Sequence, residues 1–351
     1  MLMKILKELS DIAEKWTEPE YRARPELSQS TLGTYEKLGF DGLEHLFDHK
    51  ETPSLTFGSC VDAIITGGED EFNANFMVID VNVTDGGMDT CKQLVSMNLP
   101  YDNFNDIPEQ LVSDAAKTVG FWQADKWDRR RYSEVLKTGN VADYYRALRN
   151  TDKTLIDTAT YQDVLNSVRV LRESPATSGY FADDDPLSPI RRYYQLKFRA
   201  TFEGVGYRGM MDEIVVDYES KKVFLIDLKT SSKTEWNFYK SFIEWGYCHQ
   251  ARLYYRLVAA NMAKDPYFKD FEISDYYFIV VNRKTLQPLV WKFTDTKKYG
   301  ELTYGKNKQI VIRDPFTIGS ELQGYLNLKP LVPNGINVEG PNDIVSYLEE
   351  M

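Results

Sequence analysis

Apolar positions near the N-terminus, Leu2, Ile5, Leu6, Leu9 and Ile12, recur close to every 3.6 residues and predict helix within residues 1–50. Ser54–Thr66 reads as a further helix, stopped by Gly67-Gly68. Phe76–Val83 (FMVIDVNV) has a strand pattern, and residues 90–173 carry mostly helical spacing, ending in YQDVLNSVRVLRES. Pro175 and Gly179 break that spacing, and the turn-rich Ala182–Pro189 is the clearest internal boundary. Beyond it the period changes to two. Tyr193–Phe202 alternates, Met210–Asp217 follows a glycine-rich turn, and Tyr218–Lys222 is polar. Val223–Lys229 (VFLIDLK) is an apolar run too short for a helix, which predicts a buried strand. Asn237–Met262 reads as one long amphipathic helix. Tyr276–Asn282 and Leu289–Phe293 form a strand pair around RKTLQP, and the tail mixes short strands with a helix at Ile344–Glu350.

Composition narrows the class. The chain has 351 residues, 42% of them hydrophobic and 27% charged, enough for one large domain or two ordinary ones and too apolar for disorder. Cys60, Cys91 and Cys248 stand far apart without a C-x-x-C pair, which excludes a disulfide framework, a zinc ribbon and a four-cysteine cluster, and a cytoplasmic location is expected. No run of about 18 apolar residues predicts a membrane span. MLMKILKEL passes too quickly into acids and a Trp to read as a signal peptide.

The net charge of -11 argues at first against a nucleic-acid partner. It is unevenly spread, however. Asp62–Thr118 holds eleven acids against two bases, 2 − 11 = −9, whereas Arg191–Lys240 holds ten bases against seven acids, 10 − 7 = +3. Lys126–Arg149, with seven bases against three acids, is a second basic window. A bipolar surface is expected, with the basic windows along one path for a polyanion. Arg129, Arg130 and Arg131 beside Trp127, with Lys233, lie within them, and these and Arg252 beyond them are the candidate phosphate contacts.

Chemistry concentrates where Asp212 starts one strand and Asp227 and Lys229 end the next. Residues i and i+2 of a strand share a face, so Asp227 and Lys229 are neighbours while Leu228 points away. If the strands pair through the Tyr218–Lys222 turn, Asp212 falls beside Asp227. Two carboxylates suit a hard cation such as Mg²⁺ or Mn²⁺, with substrate phosphate completing its shell. Alone, D-x-K is a weak signal, equally met by a surface hairpin carrying an Asp–Lys pair. Glu213 should face the other side of the strand in a structural role.

The segment GMMDEIVVDYESKKVFLIDLKTS resembles the G-x-x-D…D-x-K-T core of the PD-(D/E)XK nuclease superfamily, in particular its RecE-like and RecB-like phage-type exonucleases. YCHQARLYY is similar to the Q-x-x-x-Y helix motif of those proteins, with Gln250 and Tyr254 at i, i+4. LTFGSCVDAIIT resembles their G-x-x-x-(H/E/D) helix, with Gly58 allowing close approach and Asp62 as the distal acid. The resemblance runs from Ser28 to Tyr255; residues 80–175 and those after Thr294 align with nothing. Asp62 stands where many relatives carry His or Glu, and Asp227 where many carry Glu.

The resemblance implies a mixed α/β (α+β) fold, a nuclease core of mixed β-sheet flanked by helices and carrying a helical insertion. The expected divisions are N-terminal helices with the first acidic motif (1–90), the insertion (91–181), the core sheet and helix (182–295) and a C-terminal extension (296–351). It implies one or two Mg²⁺ or Mn²⁺ ions held by Asp62, Asp212, Asp227 and the Leu228 carbonyl, with Lys229 activating water and Gln250 and Tyr254 completing the site. It further implies hydrolysis at double-stranded DNA ends in phage-type recombination, a homo-oligomeric ring, a single-strand-annealing recombinase as partner, and the cytoplasm of a bacterial host. The competing readings are a catalytically idle relative that binds DNA or a partner, and a structure-selective endonuclease. His45 and His49 have i, i+4 spacing without the further ligands a zinc site needs. Of the aromatics between Trp236 and Tyr247, most read as core and one or two as stacking surfaces for unpaired bases.

Overall fold

The chain is described from a computed structural model covering residues 7–46, 52–307 and 310–328. The described residues divide into two compact units, one drawn from Met1–Thr52 and Leu171–Met351, the other from Pro53–Val170.

The first fifty residues form several short pieces: a 3₁₀ turn at Leu9–Ile12, α1 (Glu18–Arg22), α2 (Gln29–Leu38) and a 3₁₀ stretch at Gly39–His45. Caps explain the segmentation. Thr17 and Glu20 make a reciprocal capping box at α1, and Ser28 accepts the Thr31 N–H at α2.

In the 53–170 unit, α3 (Pro53–Asn75) does not stop at Gly67-Gly68. Gly68 takes φ 71, a conformation open to glycine, and the helix kinks and continues. The strand expected over Phe76–Val83 is shorter, β1 (Phe76–Ile79), and pairs in parallel with β2 (Thr154–Asp157). Between them, α4 (Asp85–Ser96), α5 (Glu109–Thr118), α6 (Arg131–Leu136) and α7 (Val141–Arg149) surround a core that includes Leu94, Phe104, Val112, Val135 and Tyr145. The helix α8 (Thr158–Glu173) follows.

The other unit is built on a mixed sheet of β3 (Ile190–Phe202), β4 (Val205–Asp217), β5 (Lys222–Ser231), β6 (Glu272–Ile273), β7 (Tyr276–Asn282) and β8 (Pro288–Phe293). Its order is β3-β4-β5-β7-β8, with β6 on β5; β5–β7 and β5–β6 are parallel and the other pairs antiparallel. Glu203 and Gly204, at φ 50 and 84, form the two-residue turn joining β3 and β4, the positive-φ hairpin that matches strand twist.

The single helix expected over Asn237–Met262 is two, α9 (Phe238–Glu244) and α10 (Tyr247–Met262). Gly246 sits at φ 63, ψ 35 between them and turns the chain before α10 begins. α10 lies against β3 and β4 and contacts α2, α9 and α11 (Pro315–Leu328), which accounts for burial on nearly every side of it. Gly209 of β4 makes its approach close, because a Cβ there would come within 2.8 Å of the Tyr254 ring. The short strands β9 (Leu302–Tyr304) and β10 (Ile310–Ile312) precede α11. The helix expected at Ile344–Glu350 lies outside the described residues. Among the described residues no helix is long and apolar enough to cross a membrane.

Candidate active site

The β4–β5 ladder runs from Asp217–Lys222 to Glu213–Ile226 and stops one position short of Asp212 and Asp227. β5 continues on β7 from Ile226 to Ser231, while β4 continues on β3. The sheet therefore forks where the two aspartates stand. The β3–β4 ladder skips the same level, passing from Tyr194–Glu213 to Leu196–Met211, because Gln195 takes φ 55. A non-glycine residue at positive φ within a strand is uncommon and costs energy, so the interruption is built in locally.

Into this fork Leu228 donates its N–H to Asp212 Oδ2 at 3.0 Å. On an extended strand a residue's N–H and C=O leave the same edge, so the Leu228 carbonyl faces the gap as well. Asp227 is completely buried; its Oδ1 accepts a hydrogen bond from Gln250 Nε2 and its Oδ2 pairs with the Lys229 ammonium. Gln250 also bonds the Tyr254 hydroxyl, and burial raises that hydroxyl's pKa well above the usual tyrosine value, with Asp212 and Asp227 nearby adding to the effect. Burial opposes the charge on Lys229, but the carboxylates of Asp227 and Asp212 outweigh it and hold the lysine pKa above its ordinary value. The ammonium also lies 5.0 Å from the centre of the Tyr247 ring.

Asp212, Asp227, Leu228, Lys229, Gln250 and Tyr254 are thus brought together within one unit. Two tyrosines of the site were not singled out from the sequence. Tyr247 shares a helix face with Gln250 and Tyr254, at i, i+3 and i+7, and that spacing was available to find it. Tyr276 is fully buried, its hydroxyl has no hydrogen-bond partner, and burial raises its pKa beside Asp227, Tyr254 and Asp212. Only the β5–β7 register places it there, and strand spacing alone could not supply that.

Asp62 is half-buried on α3 in the 53–170 unit. Glu213 points to the opposite sheet face, is 2% exposed, and neither carboxylate oxygen has a hydrogen-bond partner; burial raises its pKa well above the carboxylate range. His45 is exposed, and His49 lies outside the described residues.

The phosphate-contact candidates divide sharply. Arg129, Arg130 and Lys233 are exposed. Arg131 is 1% exposed and bonds the Trp122 and Ala124 carbonyls, Ser113 Oγ and Asp128. Arg252 is equally buried; one of its nitrogens serves the carbonyls of Lys298 and Gly300 and the carboxylate of Asp314. Both are internal ties rather than surface cations, which corrects the expectation that they meet phosphate. The single basic path over Arg191–Lys240 needs the same correction. Arg192 pairs with Asp184, Arg199 with Glu14, and Arg208 donates to the Glu26 carbonyl. Lys221 and Lys222 sit at the far end of β5, about 23 Å of strand from Lys229.

Among the described residues no three His, Cys, Asp or Glu side chains cluster closely enough to hold a metal. The fork offers two carboxylates and a carbonyl. That set fits Mg²⁺ or Mn²⁺, which keep several waters and bind through one or two carboxylates plus phosphate, and does not fit zinc.

No protein-family profile matches the chain, and no curated protein does. A crystal structure of a proposed exonuclease from Eubacterium rectale superposes with a TM-score of 0.42 and 13% identity, covering 80% of this chain and 79% of that one. At that distance it decides neither fold nor function here.

Proposed function

We propose that the chain is a divalent-metal-dependent phosphodiesterase acting on DNA, with Asp212 and Asp227 as its metal-binding carboxylates and Lys229 as the polar group beside them. The observation that carries this reading is the fork. A sheet broken on both sides of Asp212, with Asp227 buried opposite it, creates an anionic gap for which a structural hairpin has no use.

A divalent ion held there would supply Lewis acidity to a phosphate oxygen and favour ionisation of an attacking water. The remaining work falls to the chain itself. Gln250 fixes the orientation of the Asp227 carboxylate, and Leu228 fixes that of Asp212. Lys229, held in its charged form by the two carboxylates, orients water and stabilises negative charge developing on the phosphate. Once those carboxylates are neutralised, the attraction that holds its proton weakens, and the same nitrogen can accept a proton. A ligand role for Asp62 rests only on the resemblance of LTFGSCVDAIIT to the G-x-x-x-(H/E/D) helix of RecE-like and RecB-like exonucleases. Specificity for double-stranded ends, a role in phage-type recombination and a ring-shaped oligomer rest on the resemblance of GMMDEIVVD…LIDLKTS and YCHQARLYY to RecE-like and RecB-like exonucleases.

The test compares linear and covalently closed plasmid in Mg²⁺, in Mn²⁺ and in EDTA. Cleavage of the linear form alone, abolished by EDTA, is expected. Equal cutting of both forms removes the exonuclease reading, and no cutting under either metal removes the enzyme.

A further inference from the structure

The stretch that follows the catalytic strand carries an unusual surface. Trp236 is 82% exposed, and Tyr239 and Trp245 are also exposed, all in the stretch from the 3₁₀ turn at Glu235–Asn237 to the residue that follows α9. Among the described residues nothing stacks on the Trp236 ring. Its neighbours in sequence are firmly held. Phe238 and Phe242 pack against Trp291 at 5.4 and 5.8 Å, and Asn282 Nδ2 donates to the Lys233 carbonyl at 2.8 Å. The segment is therefore anchored through one face while the other presents rings to solvent. A preorganised ring of this kind loses little freedom when something stacks on it.

Beside it lies a cavity of about 290 Å³ whose walls include Lys233, Glu235, Phe238, Val280, Asn282 and Leu289. Its place in the sheet follows from the register, since Val280 is the β7 partner of Lys229. Adjacent strands lie about 4.8 Å apart, so the cavity opens one strand away from the candidate catalytic lysine. Its size falls at the low end of the roughly 300–1,000 Å³ of small-molecule sites, room for one ring system. Lysines accompany the rings: Lys233 lines the cavity beside Glu235, Lys240 lies 5.9 Å from the centre of the Tyr239 ring, and Lys37 lies over the Trp245 ring at 4.1 Å.

We infer that this cavity and the exposed rings of Trp236 and Tyr239 form a platform for unpaired nucleotides, taking the bases next to the phosphodiester held at the fork. This rests on the reading of Asp212, Asp227 and Lys229 as a phosphodiesterase centre. Ring faces accept any base, because every base has a π-face, and Lys233 and Lys240 meet the connecting phosphates. The strand being cut is accordingly single-stranded where it crosses this surface, so a duplex end has to open by at least one base pair to enter.

Binding is measured in EDTA, where no cleavage occurs, by fluorescence anisotropy of a labelled short oligothymidylate and of an abasic oligomer of the same length. Wild-type protein is expected to bind the thymidylate about ten-fold or more tightly than the abasic chain, the effect of base–aromatic stacking. Trp236→Ala is expected to lose most of that preference and Trp236→Phe to keep most of it; at 82% exposure the side chain contributes little to folding. Equal wild-type affinity for the two oligomers, no binding of either, or a Trp236→Ala protein that keeps the preference overturns the platform. Cleavage of linear DNA in Mg²⁺ by the same preparation reads the fork independently. Cleavage without base preference refutes the platform alone, and base preference without cleavage refutes the phosphodiesterase alone.

Discussion

Replacing Arg252 with Met separates a stability role from a DNA-binding role. The guanidinium is 1% exposed, and a single nitrogen reaches the Lys298 carbonyl at 3.1 Å, the Gly300 carbonyl at 2.6 Å and Asp314 Oδ2 at 2.7 Å. Asp314 in turn accepts the Phe316 N–H at 2.8 Å in the first turn of α11. The arginine therefore ties α10 to the start of α11 and to the loop before β9. Its loss leaves a nearly buried carboxylate without its counter-charge, which costs about 3–5 kcal/mol. Against a total stability of about 5–15 kcal/mol, that is a large share. In a protein of this size it lowers Tm by roughly 4–7 °C. Urea and thermal denaturation measure it, with DNA affinity taken on the folded fraction, where no change is expected. Adding Asp314→Asn removes the orphaned charge but keeps the oxygen that accepts from Phe316, so the double variant should recover much of the loss and give a favourable coupling in a double-mutant cycle. An Arg252→Met protein as stable as wild type but weaker on DNA would refute the reasoning and restore the arginine as a phosphate contact.

Three further outcomes follow from the same geometry. Lys229→Met should lower the cleavage rate by about 10²–10⁴, the range for a lost acid–base or charge-stabilising group, while Mn²⁺ still binds by calorimetry; loss of metal binding as well would make the lysine a structural partner of Asp227. Gln250→Leu strips a hydrogen bond from a buried carboxylate and should cost about 1.5–3 kcal/mol in urea denaturation without added metal; an unchanged midpoint would mean that Asp227 does not depend on it. Glu213 holds its proton in the folded state to a pH above its unfolded value, so its contribution is fully present below about pH 4.5 and is lost as pH rises through the folded pKa. Glu213→Gln should therefore gain on wild type in Tm as pH rises above about 4.5, and a constant difference would show that the carboxyl does not titrate.

The parts of the fold readable from sequence are those where one physical signal dominates. Alternation marks β3, a glycine-rich turn sets off β4 and a short apolar run marks β5, which places Asp212, Asp227 and Lys229 on adjoining strand ends from the sequence. The fork itself was not legible, because it depends on where two ladders stop and on the positive φ of Gln195, a residue with no sequence mark of it. Gly246 inside an otherwise helical pattern was readable as a tolerated glycine and turned out to be a break, and that break starts α10 where Tyr247, Gln250 and Tyr254 share one face. Charge counting misled most. Arg131, Arg192, Arg208 and Arg252 look like polyanion ligands in sequence, yet each is spent on carbonyls and carboxylates of its own unit, because a guanidinium can satisfy several buried acceptors at once. Among the aromatics of 236–247, helical spacing could not separate Phe238 and Phe242, which are buried, from Trp236, which is exposed; packing against Trp291 does so.

The central claim is that Asp212 and Asp227 together hold a divalent cation. Crystals of the whole chain soaked in Mn²⁺ and measured for anomalous scattering test it directly. A peak is expected in the fork, in contact with both carboxylates and the Leu228 carbonyl, and is expected to disappear in Asp227→Asn. A fork without a peak at saturating Mn²⁺, in a protein whose Asp212 and Asp227 remain as described, would contradict it.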